Sequence, residues 1–355
     1  MSEKPCTCSC TCQPVDQPAS RPVSRKLARW TVQPIPAAQP RLDRAALTAL
    51  AARLTERDYR ILDHLYRHRV LTTHQLQRIF FGIPQATRTR MTTLFNLNAV
   101  TRFRPWAGYG AGSAPIHWVL GKAGAAALAA RQGITLKELG YDPDIPIAVS
   151  SRLAHQVGVN DFFSHLHHHA RHTAAEPTTV TKARPEASAE VRAWWSEQQC
   201  ARLWGDLARP DAWGQWRENG HEVNFFLEHD TGTETLKRVA DKLPDYRNLA
   251  DATGINTPIL FWLPSPTRET NLRELLTGSD IPVATAVHTS NGDGPAGPIW
   301  LPTGADAHPP RMRLADLASA WPHLPLGRIP DPPNIDQPDH ELANKPAVRA
   351  GDEPR

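Results

Sequence analysis

The chain has 355 residues, of which 40% are hydrophobic, and its 40 basic and 36 acidic residues give a formal net charge of +4. This length is enough for two ordinary domains. No apolar run approaches the roughly 18 residues of a membrane span, and the N-terminus lacks the apolar core of a signal peptide, so we expect a cytoplasmic protein that does not contact membranes.

Residues 1–45 are polar, rich in proline and without periodicity, which predicts a disordered arm. Four of the five cysteines lie in this arm, at Cys6, Cys8, Cys10 and Cys12. Zinc sites usually use cysteine pairs separated by two to four residues. We therefore interpret these cysteines as part of the disordered arm, with a metal or redox site as the alternative.

Residues 46–132 predict three helices followed by a hairpin. Thr55 and Asp58 have capping-box-like spacing before an amphipathic pattern, a second capped start lies at Thr72, and a third helix is expected at 85–97. A Gly-rich loop then joins two short apolar strand patterns. These strand patterns cover 100–106 and 116–120. An Ala-rich helix closes this part of the chain, and the order predicts an N-terminal winged helix-turn-helix domain.

The charge of the chain is concentrated in two regions of opposite sign. Residues 41–104 contain twelve Arg, no Lys and four acidic residues, a net +8, whereas residues 206–234 contain seven acidic residues and two Arg, a net −5. A basic helix-turn-helix is attracted to the phosphate backbone of double-stranded DNA. The alternative is a winged helix that contacts proteins and owes its Arg content to genome composition.

The third helix and the hairpin carry side chains suited to base edges and phosphates in a major groove and its flanks. The expected DNA-binding residues are Gln85, Thr87, Arg88, Thr89, Arg90, Arg102 and Arg104, with Lys122 as a further candidate.

Residues 133–150 read as a linker, and residues 306–355 as a Pro-rich tail. Between them, 151–305 predict a long helix, two strands that form a hairpin, a capped helix that begins near Thr231 and a buried strand. This order resembles the core of the PD-(D/E)xK nuclease superfamily, which implies a restriction-endonuclease-like α/β domain. The whole chain is therefore expected to be an α+β multidomain protein.

The expected catalytic residues of this domain are acidic. Asp211 stands at the entry of one strand and Glu228 near the end of its hairpin partner, so both reach one sheet edge and can hold Mg²⁺. Strand alternation places Asp230 on the same face as Glu228. Asp230 occupies the position of the motif lysine and is expected to assist the metal or orient water, while Lys237 or Lys242 supplies the positive charge. The alternative is a solvated hairpin without catalytic function.

A helix with many histidines precedes these strands. His165 lies on one helical face with His168, His169 or His172, which allows a metal-binding pair. His155 and His167 complete the cluster. No second set of ligands is nearby in the sequence, and a polar helix face is the favoured interpretation.

Several stretches form one pattern when they are taken together, namely 54–58, 155–160, 195–197, 210–211 and 226–234, with Lys242 and Tyr246. On these stretches, residues 50–265 resemble the replication-relaxation family of actinobacterial plasmids and integrative elements. The resemblance implies a DNA-associated role in plasmid replication, mobilisation or relaxation, with a relaxase or replication protein as a partner and a homodimer as a possible assembly. Asp230 in place of the lysine fits the family pattern. A metal-dependent endonuclease or nicking accessory remains open, and so does a non-enzymatic regulator or relaxosome accessory.

Overall fold

The structure is a computed structural model that describes residues 31–32, 43–105, 113–141, 147–173, 188–288, 294–304 and 310–322. It contains helices and two separate sheets, so the α+β class expected from the sequence is confirmed. None of the described helices is both long enough and apolar enough to span a membrane.

The N-terminal unit lies between residues 31 and 141, and its described residues form five helices and a four-stranded antiparallel sheet. The helices are α1 (Arg44–Ala51), α2 (Glu56–His68), α3 (Thr73–Phe80), α4 (Pro84–Asn96) and α5 (Lys122–Gln132). The strands are β1 (Thr31–Val32), β2 (Leu71–Thr72), β3 (Val100–Arg104) and β4 (His117–Leu120), in the order β1-β3-β4-β2. The loop between β3 and β4, at 106–112, lies outside the described residues.

Local sequence signals start two of these helices. Thr55 Oγ1 accepts a hydrogen bond from Asp58 N at 3.4 Å, and Asp58 Oδ2 accepts one from Thr55 N at 2.7 Å. Thr72 and Gln75 form the same reciprocal arrangement at the start of α3. Each pair satisfies backbone donors that have no partner within the helix. The capping-box-like spacing read from the sequence at Thr55 is therefore a formed capping box.

Two boundaries differ from the sequence expectation. β1 lies within the arm that was expected to be disordered. It pairs with β3 in antiparallel register and so covers the free edge of that strand. Within the expected linker 133–150, Leu139 is buried and its carbonyl accepts a hydrogen bond from Tyr66 Oη at 2.5 Å. The cysteine-containing residues 1–12 lie outside the described residues.

The C-terminal unit lies between residues 153 and 322, and its described residues are built around a six-stranded sheet. The strands are β5 (Ala189–Ser196), β6 (Ala212–Glu218), β7 (His221–His229), β8 (Ile259–Leu263), β9 (Val283–Val287) and β10 (Leu301–Pro302). They lie in the order β10-β9-β8-β7-β6-β5. β5, β6 and β7 are antiparallel, β7 to β9 are parallel, and β10 is antiparallel to β9.

Helices cover both faces of this sheet. They are α6 (Leu153–Thr173), α7 (Glu197–Trp204), α8 (Leu236–Ala240), α9 (Leu243–Thr253) and α10 (Pro266–Leu275), and a 3₁₀ helix spans Leu314–Ala320. Phe225 and Leu227 of β7 pack with α6 on one face, whereas Phe226 packs with α7 and α9 on the other. The alternation within β7 therefore separates the two cores of the unit.

The helix expected to begin at Thr231 begins later. Gly232 has φ +80°, and its N–H donates to Asp230 Oδ1 at 2.7 Å, which forms a turn in place of the expected capping box. Thr235 caps α8 instead, accepting from Arg238 N at 3.3 Å. Pro244 lies at the start of the separate helix α9, consistent with the break that the sequence suggests at this proline.

α6 joins the two units. Asn160 is fully buried and donates to the carbonyls of His68 and Val70 at 3.2 and 2.6 Å. Arg171 donates to three carbonyls at the end of α3. A single hydrophobic core contains residues of both units, including Leu76 from α3 and Phe162 from α6. The joint is therefore a packed interface and not a flexible tether.

Candidate functional site

Two buried carboxylates meet at one end of the β6–β7 ladder. Ala212 is paired with Leu227 in the antiparallel register, so Asp211 and Glu228 each lie one position beyond this pair. Asp211 is 8% exposed and Glu228 is 3% exposed. The structure thus brings together the two residues that the sequence analysis assigned to a metal ion.

Glu228 is held by two side chains of the segment that follows it. Its Oε2 accepts a hydrogen bond from Lys242 Nζ and its Oε1 accepts one from Tyr246 Oη. Burial, reinforced by the charge of Asp211, raises the pKa of Glu228 to about 7, although Lys242 and Tyr246 act in the opposite direction. The Lys242 pKa is also raised, because the carboxylates of Glu228 and Asp211 outweigh its desolvation.

Asp211 has partners on two sides. Its Oδ2 accepts a hydrogen bond from the backbone N–H of His229 at 2.8 Å. Its Oδ1 lies 3.0 Å from Nε2 of His155, so the two side chains form an ion pair when His155 is protonated. Burial raises the pKa of Asp211, yet these partners and Lys242 outweigh burial and the net shift is downward. The pKa of His155 is raised because the attraction of Asp211 exceeds its own desolvation.

Asp230 occupies a different environment from the one that the sequence suggested. Arg268 of α10 donates to both of its oxygens, with Nη2 3.1 Å from Oδ1. This ion pair ties the end of β7 to α10, and it engages the carboxylate expected to assist a metal or orient water. Sequence reasoning missed Arg268 because it lies 38 residues further along the chain, with no motif around it.

The strand alternation expected around Glu228 is present. Glu228 and Asp230 contact α9 and α10, whereas the His229 ring lies on the opposite side, against α6 at Gly158. Of the two lysines considered, Lys242 contacts Glu228, while Lys237 is exposed on α8. The positive charge beside the carboxylates therefore comes from Lys242.

The expected DNA-binding residues of α4 divide into two groups. Gln85, Arg88 and Thr89 are exposed. Thr87 is fully buried, and its Oγ1 donates to the carbonyl of Ile83 at 3.2 Å, so it does not reach the surface. Arg90 donates from Nε to Oδ1 of the buried Asp58 at 2.7 Å, so its guanidinium is engaged by this carboxylate although the side chain is 23% exposed.

The hairpin residues are also placed differently from one another. The Arg102 guanidinium lies 4.3 Å from the ring centroid of Phe95, so it packs on the hairpin's own aromatic neighbours. Arg104 is exposed and donates to Ser113 Oγ at 2.8 Å, and Lys122 is exposed at the start of α5. Ile83, which the sequence analysis did not select, is 60% exposed immediately before α4.

The histidine-rich helix α6 contains no ready-made metal cluster. His167 is packed against His64 and Trp194, with ring centroids 6.1 and 6.3 Å away. His169 pairs with Glu218 at 2.8 Å, and His168 and His172 lie together with centroids 4.2 Å apart. In the part of the chain that the structure describes, no three His, Cys, Asp or Glu side chains converge on one point as a metal site.

The residues at the Asp211–Glu228 end nevertheless fit a divalent cation. Mg²⁺ is commonly held by one or two carboxylates, with water completing its shell. Each carboxylate oxygen has two lone-pair directions, so the bonds from Lys242 and Tyr246 leave acceptor capacity on Glu228.

The comparison with protein-family models agrees with the resemblance read from the sequence. No curated protein matches the chain. A family model described as Replication-relaxation matches residues 62–260, more than half of the 355 residues. The matched region begins in α2 and ends in β8, so it includes α6, Asp211, Glu228 and Lys242. The chain therefore belongs to the replication-relaxation family.

Proposed function

We propose that this protein binds double-stranded DNA in the replication or mobilisation of a plasmid or mobile element, and that its N-terminal unit is a winged helix-turn-helix. The support is the order of α2, α3 and α4 followed by the β3–β4 hairpin, together with the exposed polar face of α4. Gln85 and Arg88 suit adenine and guanine edges, and Ile83 suits a thymine methyl group. Arg104 and Lys122 suit flanking phosphates.

The second part of the proposal concerns the C-terminal unit, which we assign to a restriction-endonuclease-like architecture with metal-dependent phosphodiester hydrolysis as its activity. One observation carries it: Lys242 contacts Glu228 beside Asp211. Position 230 holds an aspartate where the nuclease motif has a lysine, and in this arrangement Lys242 provides the positive charge instead. Asp211 and Glu228 would hold Mg²⁺, which when bound activates water and neutralises developing phosphate charge.

The chain's own residues have separate roles in this proposal. Lys242 stabilises negative charge on the phosphate at the Glu228 end of the sheet, and Tyr246 fixes the Glu228 carboxylate. Arg268 keeps Asp230 away from the reacting phosphate and anchors the end of β7. Water adds to phosphorus and gives up a proton to the solvent, the P–O bond to the leaving oxygen breaks, and that oxygen takes up a proton from the solvent.

The test is incubation of supercoiled plasmid with the full chain and Mg²⁺, followed by separation of nicked and linear products. We expect Asp211→Asn to abolish cleavage and Lys242→Gln to reduce it at least 100-fold, because charge stabilisation of this kind is typically worth that much. Lys237→Gln is the matched control, since Lys237 is exposed on the adjacent helix, and it should cleave within threefold of the wild type. Equal activity of Asp211→Asn and the wild type would contradict the assignment.

A second function, a non-enzymatic relaxosome accessory or regulator, is favoured by a different observation. Every oxygen of Asp230 and Glu228 already accepts a bond from a protein donor, as it would in a purely structural network. In that case the C-terminal unit binds a relaxase or replication protein. An Asp211→Ala/Glu228→Ala double variant that supports plasmid maintenance like the wild type would favour this function over cleavage.

A further inference from the structure

The histidine-rich end of α6 lies beside the turn that leads into α4. Nη1 of Arg171 donates to three carbonyls at the C-terminal end of α3, over distances of 2.7 to 3.2 Å. Nη2 of the same side chain lies at Gly82, 3.7 Å from the position that a Cβ would take there. α4 begins two residues further on, at Pro84. The C-terminal unit therefore reaches the turn that presents the exposed start of α4.

Two exposed histidines flank Arg171 on this end of α6. His168 precedes it by three residues and His172 follows it directly. The rings of His168 and His172 are one helical turn apart and in T-shaped contact, with centroids 4.2 Å apart. These three exposed residues, His168, Arg171 and His172, form a surface that we call the α6 basic patch.

The charges that act on His168 are those of basic side chains. Desolvation lowers the pKa of His168 from its usual 6.5, and its charged neighbours lower it further. These neighbours are His172, His165, Arg78 and Arg171. Like charges disfavour protonation of an imidazole, whereas an anion beside the ring favours it.

The acidic residues nearest to the patch are already paired with other side chains. Asp161 forms ion pairs with Arg78 and His165, over 2.5 and 3.4 Å. Glu218 of β6 is 2.8 Å from His169, on the next position of α6. An anion from outside the protein could therefore bind the α6 basic patch without displacing either carboxylate.

We propose that the α6 basic patch binds the phosphate backbone of the same duplex that α4 enters, with His168 and His172 protonated in the complex. This inference rests on the proposed DNA binding, and it adds the C-terminal unit to the duplex interface. Three carbonyls hold the Arg171 guanidinium in place, so little conformational freedom is lost when it contacts a phosphate. Two protonated rings at this separation repel each other, and a phosphate beside both offsets the repulsion.

The proposal predicts that DNA affinity depends on pH. A bound phosphate favours the protonated form of each imidazole, so binding takes up protons and the affinity rises as pH falls. Each additional phosphate contact also releases counterions, which makes the affinity more sensitive to salt. Both effects should be present in the wild type and absent when neither histidine can be protonated.

The test is fluorescence anisotropy of a fluorescein-labelled duplex of mixed sequence with the full chain, at about pH 8 and about pH 5.5. Tryptophan fluorescence checks that the protein is folded at both values. Wild-type affinity should be at least about fivefold higher at the lower pH, with a salt slope steeper by about one. The His168→Gln/His172→Gln double variant should gain less than about twofold, with an unchanged slope.

His221→Gln is the matched control. His221 is also exposed on the C-terminal unit, but its Nδ1 is 4.0 Å from Oδ1 of Asp316, so an acidic neighbour makes it unsuited to a phosphate. This variant should show the wild-type gain.

A double variant that keeps the full gain at low pH would overturn the role of the α6 basic patch. So would a wild type whose affinity is the same at both pH values. In either case, weaker binding by Arg88→Ala would leave the proposed DNA binding by α4 intact. Absence of DNA binding by the wild type at both pH values would contradict the proposed function as well.

Discussion

Arg90 and Arg88 are two residues apart on α4, yet the structure gives them opposite roles, and paired substitutions should separate stability from DNA binding. Asp58 is fully buried, and Arg90 donates to both of its oxygens and to the carbonyl of Arg53. Arg88 is exposed and contacts Gln85 at 3.2 Å. Arg90 therefore stabilises the N-terminal unit, and Arg88 remains part of the DNA-binding surface that we propose.

The cost of Arg90→Ala follows from the environment of Asp58. Removing one partner of a buried ion pair typically costs about 3–5 kcal/mol because the remaining charge is left without compensation. Here the Arg90 side chain is 23% exposed, and Asp58 keeps its two bonds from Thr55, so water and the cap offset part of the loss. We expect the free energy of unfolding to fall by about 2–3 kcal/mol. Arg88→Ala should change it by less than about 0.5 kcal/mol.

Urea unfolding followed by tryptophan fluorescence measures the free energy of unfolding. Fluorescence anisotropy with labelled duplex DNA at several salt concentrations measures the DNA affinity and its salt dependence. Arg88→Ala should weaken DNA binding by at least about fivefold and reduce the slope of log affinity against log salt by about one. Arg90→Ala, assayed at a temperature at which it is folded, should retain the wild-type slope. A stable Arg90→Ala protein with reduced slope would refute the reasoning and restore Arg90 as a phosphate contact.

Two further predictions concern α6. Gly158→Ala should destabilise the protein by about 1–3 kcal/mol, because the new Cβ would clash with His229. Within a helix this change usually stabilises by roughly 1 kcal/mol. Thermal unfolding measures the difference, and a variant more stable than the wild type would contradict the prediction. Gly82→Ala, whose nearest neighbour is Arg171 Nη2 at 3.7 Å, is its control and should be near neutral. Burial lowers the His167 pKa to about 4, so its contribution to stability is complete above pH 6.5 and is lost as pH falls towards 4. Between pH 7 and pH 5, the free energy of unfolding of His167→Gln should therefore fall by about 2 kcal/mol less than that of the wild type, as measured by urea titrations. His74→Gln is the control and should match the wild type. Equal losses in all three proteins would contradict the role of His167.

The parts of the fold that follow from local chemistry were predictable from the sequence. The helix start at Thr55 is specified within four residues, because the capping groups lie that close together. Strand alternation correctly placed Glu228 opposite His229, since side chains of a strand point to alternate faces. The meeting of Asp211 and Glu228 followed from the hairpin between them.

Contacts between distant segments could not be predicted in the same way. His155 reaches Asp211 across 56 positions, and Arg90 reaches Asp58 across 32, because α6 and the helices of the N-terminal unit pack in ways that no local pattern specifies. β5 was missed as a strand because its Trp-rich segment is buried without simple alternation, and its pairing with β6 includes a register shift. The same limitation hid the burial of Thr87 and the pairing of Arg90 with Asp58.

The packed joint at α6 has a geometric consequence for any reaction on DNA. Asn160 and Arg171 bind backbone carbonyls of the N-terminal unit, so α3, and α4 packed beside it, cannot swing independently of the sheet that carries Asp211. In the function that we propose, the distance along the duplex between the sequence bound by α4 and the phosphate beside Asp211 is therefore fixed by the protein. Nicks are then expected a constant number of base pairs from the bound sequence.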